Sequence, residues 1–241
     1  MKEISYFTET GKQHIKEGIE NQDAFAFKMQ GNYVCAVIAD GAGSKTQAKL
    51  GATMLSQTLA DYIAENAESF YFKMEKKEIQ EDIEQKAISI LEETAESIGC
   101  IRKDLGSTFV IALINRSKEA PGVLTIHLGD GAIILGFTLK DGINSGKGMK
   151  SVLSFPKNGR TSHETFLTSM PNFSQYIDVY KREISSNFID TEVWLMTDGV
   201  YWADTFSDNW GLTKPTVRET VEQIQDVEHR DDATYICIPI N

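Results

Sequence analysis

Five aspartates stand where apolar, strand-like runs of this chain end or turn: Asp23, Asp40, Asp130, Asp198 and Asp231. Asp40 closes the run Y-V-C-A-V-I-A-D-G-A-G-S at residues 33–44. No polar residue interrupts Val34 to Ala39, so this segment reads as a strand buried on both faces. The same design returns in V-W-L-M-T-D-G at 193–199, which ends at Asp198. A carboxylate at the end of a buried strand is costly unless something pairs with it or is coordinated by it. Gly41 and Gly43 permit a tight turn and a close backbone approach there. A single Asp-Gly after a strand is ordinarily just a turn, but five such aspartates form a constellation. Like carboxylates gathered in one place raise each other's pKa unless a cation offsets them. The chain has no Cys-x-x-Cys pair and no closely spaced histidines, and an all-oxygen donor set favours Mg²⁺ or Mn²⁺ over Zn²⁺. Two such ions about 3.5–4 Å apart could share a bridging water, lower its pKa and hold a phosphoryl group for in-line attack.

The elements that must position these groups follow from periodicity. Residues 4–8 have strand character and precede a polar loop, 9–21, that carries His14 and Gly18. A strand opening at Gln22-Asp23 and the strand 33–39 flank the turn signal Gln30-Gly31-Asn32, which predicts an antiparallel hairpin. That hairpin makes Asp23 and Asp40 neighbours at one edge of a sheet. Apolar residues spaced by three and four predict helices over 45–65 and 73–97. Strands follow at 106–114, 123–128 and 132–139, and their short connections predict a three-stranded meander turning at Gly129-Asp130-Gly131. A glycine-rich loop at 141–148 leads into the poorly patterned stretch 151–178, read as a flap-like insert. Further strands are expected at 176–184 and 191–196. A short helix after Asp198-Gly199, a helix at 213–224 opened by Pro215 and a last strand at 233–238 complete the chain. The expectation is one domain over residues 1–241, with a variable insert at about 141–178.

Composition sets the class. A chain of 241 residues can bury a substantial core. Its net charge of −11 argues against nucleic acid or an anionic membrane as the main partner. Cys35 and Cys237 lie in apolar runs and read as buried thiols of a reducing compartment. Neither a signal-like N-terminus nor a membrane-length apolar run is present, so the expected location is cytoplasmic. Two phosphate-binding fingerprints fail on inspection. Gly41-Ala42-Gly43 lacks the third glycine of a dinucleotide site, and Ser44 separates glycine from lysine in the P-loop-like Gly43-Ser44-Lys45-Thr46.

Six motifs, in this order and approximate spacing, resemble the metal-dependent type 2C serine/threonine protein phosphatases, in particular their compact bacterial branch. They are N-Q-D-A (21–24), A-D-G-A-G-S (39–44), G-S-T (106–108), G-D-G (129–131), T-D-G (197–199) and D-D-A-T (231–234). The resemblance runs from Asn21 to the last strand. It implies an α+β fold, a four-layer α-β-β-α sandwich of two antiparallel sheets flanked by helices, with a binuclear metal site at one end. It implies two Mn²⁺ or Mg²⁺ ions, bridged by Asp40 and ligated by the Gly41 carbonyl, Asp198 and Asp231. Asp23 joins the metal-binding set with Gln22 acting through water, and Asp130 would help hold a third, weaker ion. The implied reaction is hydrolysis of a phosphoserine or phosphothreonine monoester by in-line attack of a metal-bridging hydroxide, with Asp40 and Asp198 as catalytic residues, to which this chain's own sequence adds His14 as a candidate. The implied partner is a phosphorylated protein, the target of a Ser/Thr kinase, met by a monomer.

Three positions depart from that pattern. Gln22 replaces a frequent glutamate and brings no charge. The phosphate-binding arginine of many members falls at Gly18, which leaves His14, Lys12 or Lys16 to hold the phosphate. The histidine that some members carry after Asp-Gly is Ala42, so His14 is the candidate proton donor, against the alternative of a solvated loop histidine. His127 reads as structural, and His163 and His229 as exposed. The competing function is a catalytically weak or silent member that binds phosphoproteins as a regulatory module. A two-metal nuclease is disfavoured by the lack of a basic groove.

Overall fold

The structure, a computed structural model, describes residues 3–157, 165–201 and 229–240. Its centre is β3 (Tyr33–Asp40), whose unbroken apolar run serves two cores at once. Val34, Ala36 and Ile38 point into one cluster, and Cys35 and Val37 point into another. A strand covered on both faces has no use for polar alternation.

β3 pairs antiparallel with β2 (Asp23–Gln30) in a register that sets Asp23 directly opposite Asp40. On its other side runs β4 (Phe109–Asn115), followed by β5 (Gly122–Leu128) and the edge strand β8 (Asp178–Glu183). The second sheet is ordered β1 (Ser5–Glu9), β10 (Ala233–Pro239), β9 (Phe188–Met196), β6 (Ala132–Leu139) and β7 (Gly148–Ser154). Val34, Ala36 and Ile38 meet Ile133, Leu135, Val193 and Leu195 across the inter-sheet core. On the outer face of the first sheet lie α2 (Ala48–Glu65) and α3 (Lys76–Ile98), with Leu55, Leu59, Ile83 and Leu91 fully buried against it. The outer face of the second sheet carries Trp194, Met196, Tyr235 and Cys237 in a further cluster with Val200. The expected helix at 213–224 lies outside the described residues. The architecture is α+β, with two antiparallel sheets packed face to face.

Three local expectations are corrected. Part of the polar loop 9–21 is a helix, α1 (Lys12–Glu17). Its six residues bury nothing, so no apolar period announces them. The helix is nucleated from outside instead: the Gly11 amide donates to the Asp232 carboxylate, and the Lys12 and Gln13 amides donate to the carbonyls of His229 and Arg230. The three strands 109–139 are not a meander. β4 and β5 pair in the first sheet, and Gly129-Asp130-Gly131 then carries the chain across to β6 in the second. Both sheets bury their strands there, so burial does not distinguish them. Within the expected insert, residues 148–154 form β7, which pairs with β6 through a bulge at Ile133/Ile134.

Ile38→Ala removes a fully buried side chain two residues before Asp40. It should cost about 2–5 kcal/mol, read as a lower urea midpoint at unchanged slope.

Candidate metal centre and active site

Sheet geometry delivers the acidic side chains to one end of the sandwich. Asp23 opens β2 and Asp40 closes β3. Asp198 follows β9, Asp231 precedes β10, and Asp130 sits in the crossing between β5 and β6. Asp40, Asp130, Asp198 and Asp231 line a single open cleft of about 520 Å³ together with His14, Glu17, Gln22 and Gly41. Asp23 is buried beside Asp40 and does not reach the cleft wall.

The motifs between these aspartates act as clamps. Thr108 fixes the end of β3 twice: its amide donates to the Asp40 carbonyl, and its hydroxyl accepts from the Asp40 amide. The Ala42 amide donates to the Gly106 carbonyl, and Gly41 bridges to Ser107. The Thr197 hydroxyl donates to Asp23 Oδ2 at 2.9 Å and accepts from the Thr234 amide, so three strand ends are tied to one another. Two glycines pass the backbone at 231–232 with no room for a methyl group. A Cβ on Gly11 would lie 2.3 Å from the Asp231 carbonyl carbon, and one on Gly199 would lie 2.0 Å from the Asp232 carbonyl oxygen. These are close-approach positions that only glycine fits.

Electrostatically the cluster is under tension. Burial, and then the neighbouring Asp23, Asp198, Asp130 and Asp231, hold the Asp40 carboxyl well above the usual carboxylate range. Burial, then Asp130, Asp231 and Asp23, push Asp198 up to about 8. Asp23 rises to about 7, chiefly through burial, with hydrogen bonds from Thr234 and Thr197 opposing the rise. Asp130 is raised by burial while the Thr165 hydroxyl donates to its Oδ2 at 2.6 Å. Asp23 Oδ1 and Gln22 Oε1 are buried acceptors without a hydrogen-bond partner, and no lysine or arginine stands among the described lining residues.

Asp232, which sequence reasoning passed over, is the organising residue beneath this surface. Its carboxylate is 3% exposed. It accepts from the Gly11 amide at 2.8 Å, the Gln22 amide at 2.5 Å and His14 Nδ1 at 2.9 Å. The only sequence signal was the doubled acid in D-D-A-T, whose two members the structure places in different surroundings, one exposed and one buried. His14 therefore has a fixed ring on the cleft wall and is no solvated loop histidine. Lys12 and Lys16 are exposed and line no part of the cleft, because α1 turns Gln13, His14 and Glu17 toward it and the lysines away. Lys16, expected to help hold phosphate, is thus placed off the cleft wall. His127 is buried, donates to or accepts from Ser154 Oγ at 2.7 Å, and is pushed down to about 4 by burial, which fits a structural histidine. His229 is buried, not exposed: it packs on Phe7 and reaches the Gly199 carbonyl. His163 lies outside the described residues.

The family model described as protein phosphatase 2C matches residues 10–233. No curated protein matches the chain. Among solved structures, a bacterial serine phosphatase shares the fold at TM-score 0.65 and 16% identity, covering 99% of this chain and 98% of that one. The serine/threonine phosphatase Stp1 from Staphylococcus aureus aligns at TM-score 0.62 and 18% identity, over 100% and 96% of the two chains. RsbX in complex with magnesium aligns at TM-score 0.57 and 18% identity, over 97% and 92%.

Carboxyls whose pKa is raised in the fold bind protons that the unfolded chain has already released. Between the ordinary carboxylate range and about pH 8, the metal-free protein should therefore lose stability as pH rises. Asp198→Asn removes one of the repelling charges. It should raise the metal-free melting temperature at pH 8 by about 2–4 °C per kcal/mol relieved and have little effect at pH 4. Calorimetry with chelator at the two pH values reads the difference.

Proposed function

The chain belongs to the protein phosphatase 2C family, and from that premise we propose that it is a metal-dependent phosphoserine/phosphothreonine protein phosphatase. One observation carries the reading: four aspartates from separate strand ends share one cleft, with no lysine or arginine among the described residues that line it. Carboxylates crowded in this way either retain protons near neutral pH or bind cations that offset their charge. The unpartnered buried oxygens of Asp23 and Gln22 and the all-oxygen donor set suit hard ions, and RsbX, a structural relative, was crystallised with magnesium. Asp40, Asp198, Asp231 and the Gly41 carbonyl would hold two Mn²⁺ or Mg²⁺ ions. Asp130 would contribute to a third, and Asp23 and Gln22 would act through water. Bound there, the ions supply positive charge for the phosphoryl oxygens and a water acidic enough to attack phosphorus at neutral pH.

The chain's own groups do the rest. His14, with Nδ1 engaged by Asp232, presents its other nitrogen, Nε2, for substrate. From the cleft wall it can hydrogen-bond a phosphoryl oxygen or protonate the leaving serine or threonine oxygen, a role open because Ala42 stands where some relatives carry histidine. Asp232 fixes the ring and the start of β2 together, so the proton donor and Gln22 move as one unit. Leu167 and Met170 give the cleft an apolar wall for the rest of the substrate. The expected substrate is a phosphorylated protein.

The test is hydrolysis of p-nitrophenyl phosphate and of a phosphothreonine peptide, with Mn²⁺ and with chelator. Asp198→Asn should lower kcat/KM by about 10²-fold or more on both substrates. His14→Gln should cost about 10²-fold on the peptide, whose alkoxide needs a proton. It should cost far less on the aryl phosphate, whose leaving group does not. Phosphopeptide binding without turnover under any divalent ion would replace this reading with the silent, regulatory one.

A further inference from the structure

The mouth of the cleft carries one acid that the metal centre does not use. Glu17 lines the same cleft as the aspartates but belongs to α1, away from every strand end. It is exposed, and Gln13 Nε2 donates to its Oε1 at 3.3 Å. None of the salt bridges among the described residues engages it, although Lys12 and Lys16 sit on the same short helix. The helix period explains this. Gln13, His14 and Glu17 share the face toward the cleft, and the lysines share the other. Besides His14, whose ring Asp232 engages, the only charged side chain this helix turns toward the place where substrate must pass is thus negative. An unpaired carboxylate beside a site built for an anionic phosphate is unfavourable to the phosphate itself. It becomes favourable if the group next to that phosphate is cationic.

Resting on the phosphatase reading above, the geometry points to a substrate class: phosphoserine or phosphothreonine sites with a lysine or arginine close by in the chain, read by Glu17 at the cleft mouth. The Gln13 amide reaches the same carboxylate from the cleft-facing side of the helix, at 3.3 Å. Phosphosites flanked by glutamate or aspartate would meet Glu17 with like charge and be discriminated against. Because Glu17 is exposed, the contribution per contact is modest and screened by salt.

Two phosphothreonine peptides, identical except for arginine or glutamate beside the phosphoresidue, test this with the Mn²⁺-loaded enzyme. The arginine peptide should be favoured in kcat/KM by about 3–10-fold at low ionic strength, and the preference should shrink as salt rises. Glu17→Gln should bring the ratio near one, and Glu17→Lys should invert it. Comparing ratios within each variant keeps the result independent of any change in overall rate. Equal rates on both peptides, or a preference unmoved by salt and by Glu17→Lys, overturn the inference and leave the phosphatase reading standing. Failure to hydrolyse either peptide or an aryl phosphate with Mn²⁺ or Mg²⁺ overturns both.

Discussion

The repulsion among carboxylates driven together at one end of the sandwich is the constraint that the remaining structure answers to. Hydrophobic packing between the sheets fixes where the strands end, and the strand ends fix where the aspartates stand. Asp40 cannot retreat, because Thr108 holds its backbone from both sides and Ser107 is bridged to the next residue. Asp23 cannot turn away, because Thr197 holds one oxygen while the other has no hydrogen-bond partner. The fold thus carries unfavourable electrostatics that its apolar core must outweigh. Strain of that kind is characteristic of sites organised before their ligand arrives.

Neighbouring residues show how environment assigns roles. Asp231 and Asp232 are chemically identical and adjacent, yet one is exposed at the cleft and the other is buried among three donors. Their surroundings separate them, and Gly11 and Gly199 let neighbouring segments pass close to the backbone at 231–232. A carboxylate saturated by two amides and a histidine has little left to offer a cation. A carboxylate facing an open cleft beside three others has every reason to bind one. On the proposed reading the first orients and the second coordinates, and exchange between the two would require both glycine contacts to break.

What could be read from the sequence was whatever the core dictates. The strand-end aspartates, the hairpin that places Asp23 opposite Asp40, and the two long helices all follow from apolar periodicity, and the structure contains them. What could not be read depends on contacts between segments that no local pattern links, some of them more than 200 residues apart. α1 has no apolar face and exists because residues 229–232 cap it. His229 is buried because Phe7 and Gly199 close over it, which no local pattern reveals. β6 changes sheets because the turn at Gly129 crosses the sandwich, whereas a run of buried strands looks the same whether the next partner is beside it or opposite. The importance of Asp232 was hidden for the same reason: all three of its donors come from the other end of the chain.

α1 also changes what the missing arginine means. On the resemblance drawn from the sequence, Gly18 takes the place of a phosphate-binding guanidinium, and the loss looks at first like decay toward a silent fold. The helix suggests another account. A chain that needed a cation at this cleft had Lys12 and Lys16 within one turn of His14, and a small rotation would have brought either inward. Instead the capping contacts of Gly11, Lys12 and Gln13 fix a phase in which neither lysine lines the cleft and Glu17 does. Phosphate would then be held by the metal ions and His14, and the surface beside them would be free to discriminate among whatever surrounds the phosphate. In a family whose metal centre is common to all substrates, selectivity has to reside in residues that the centre does not recruit.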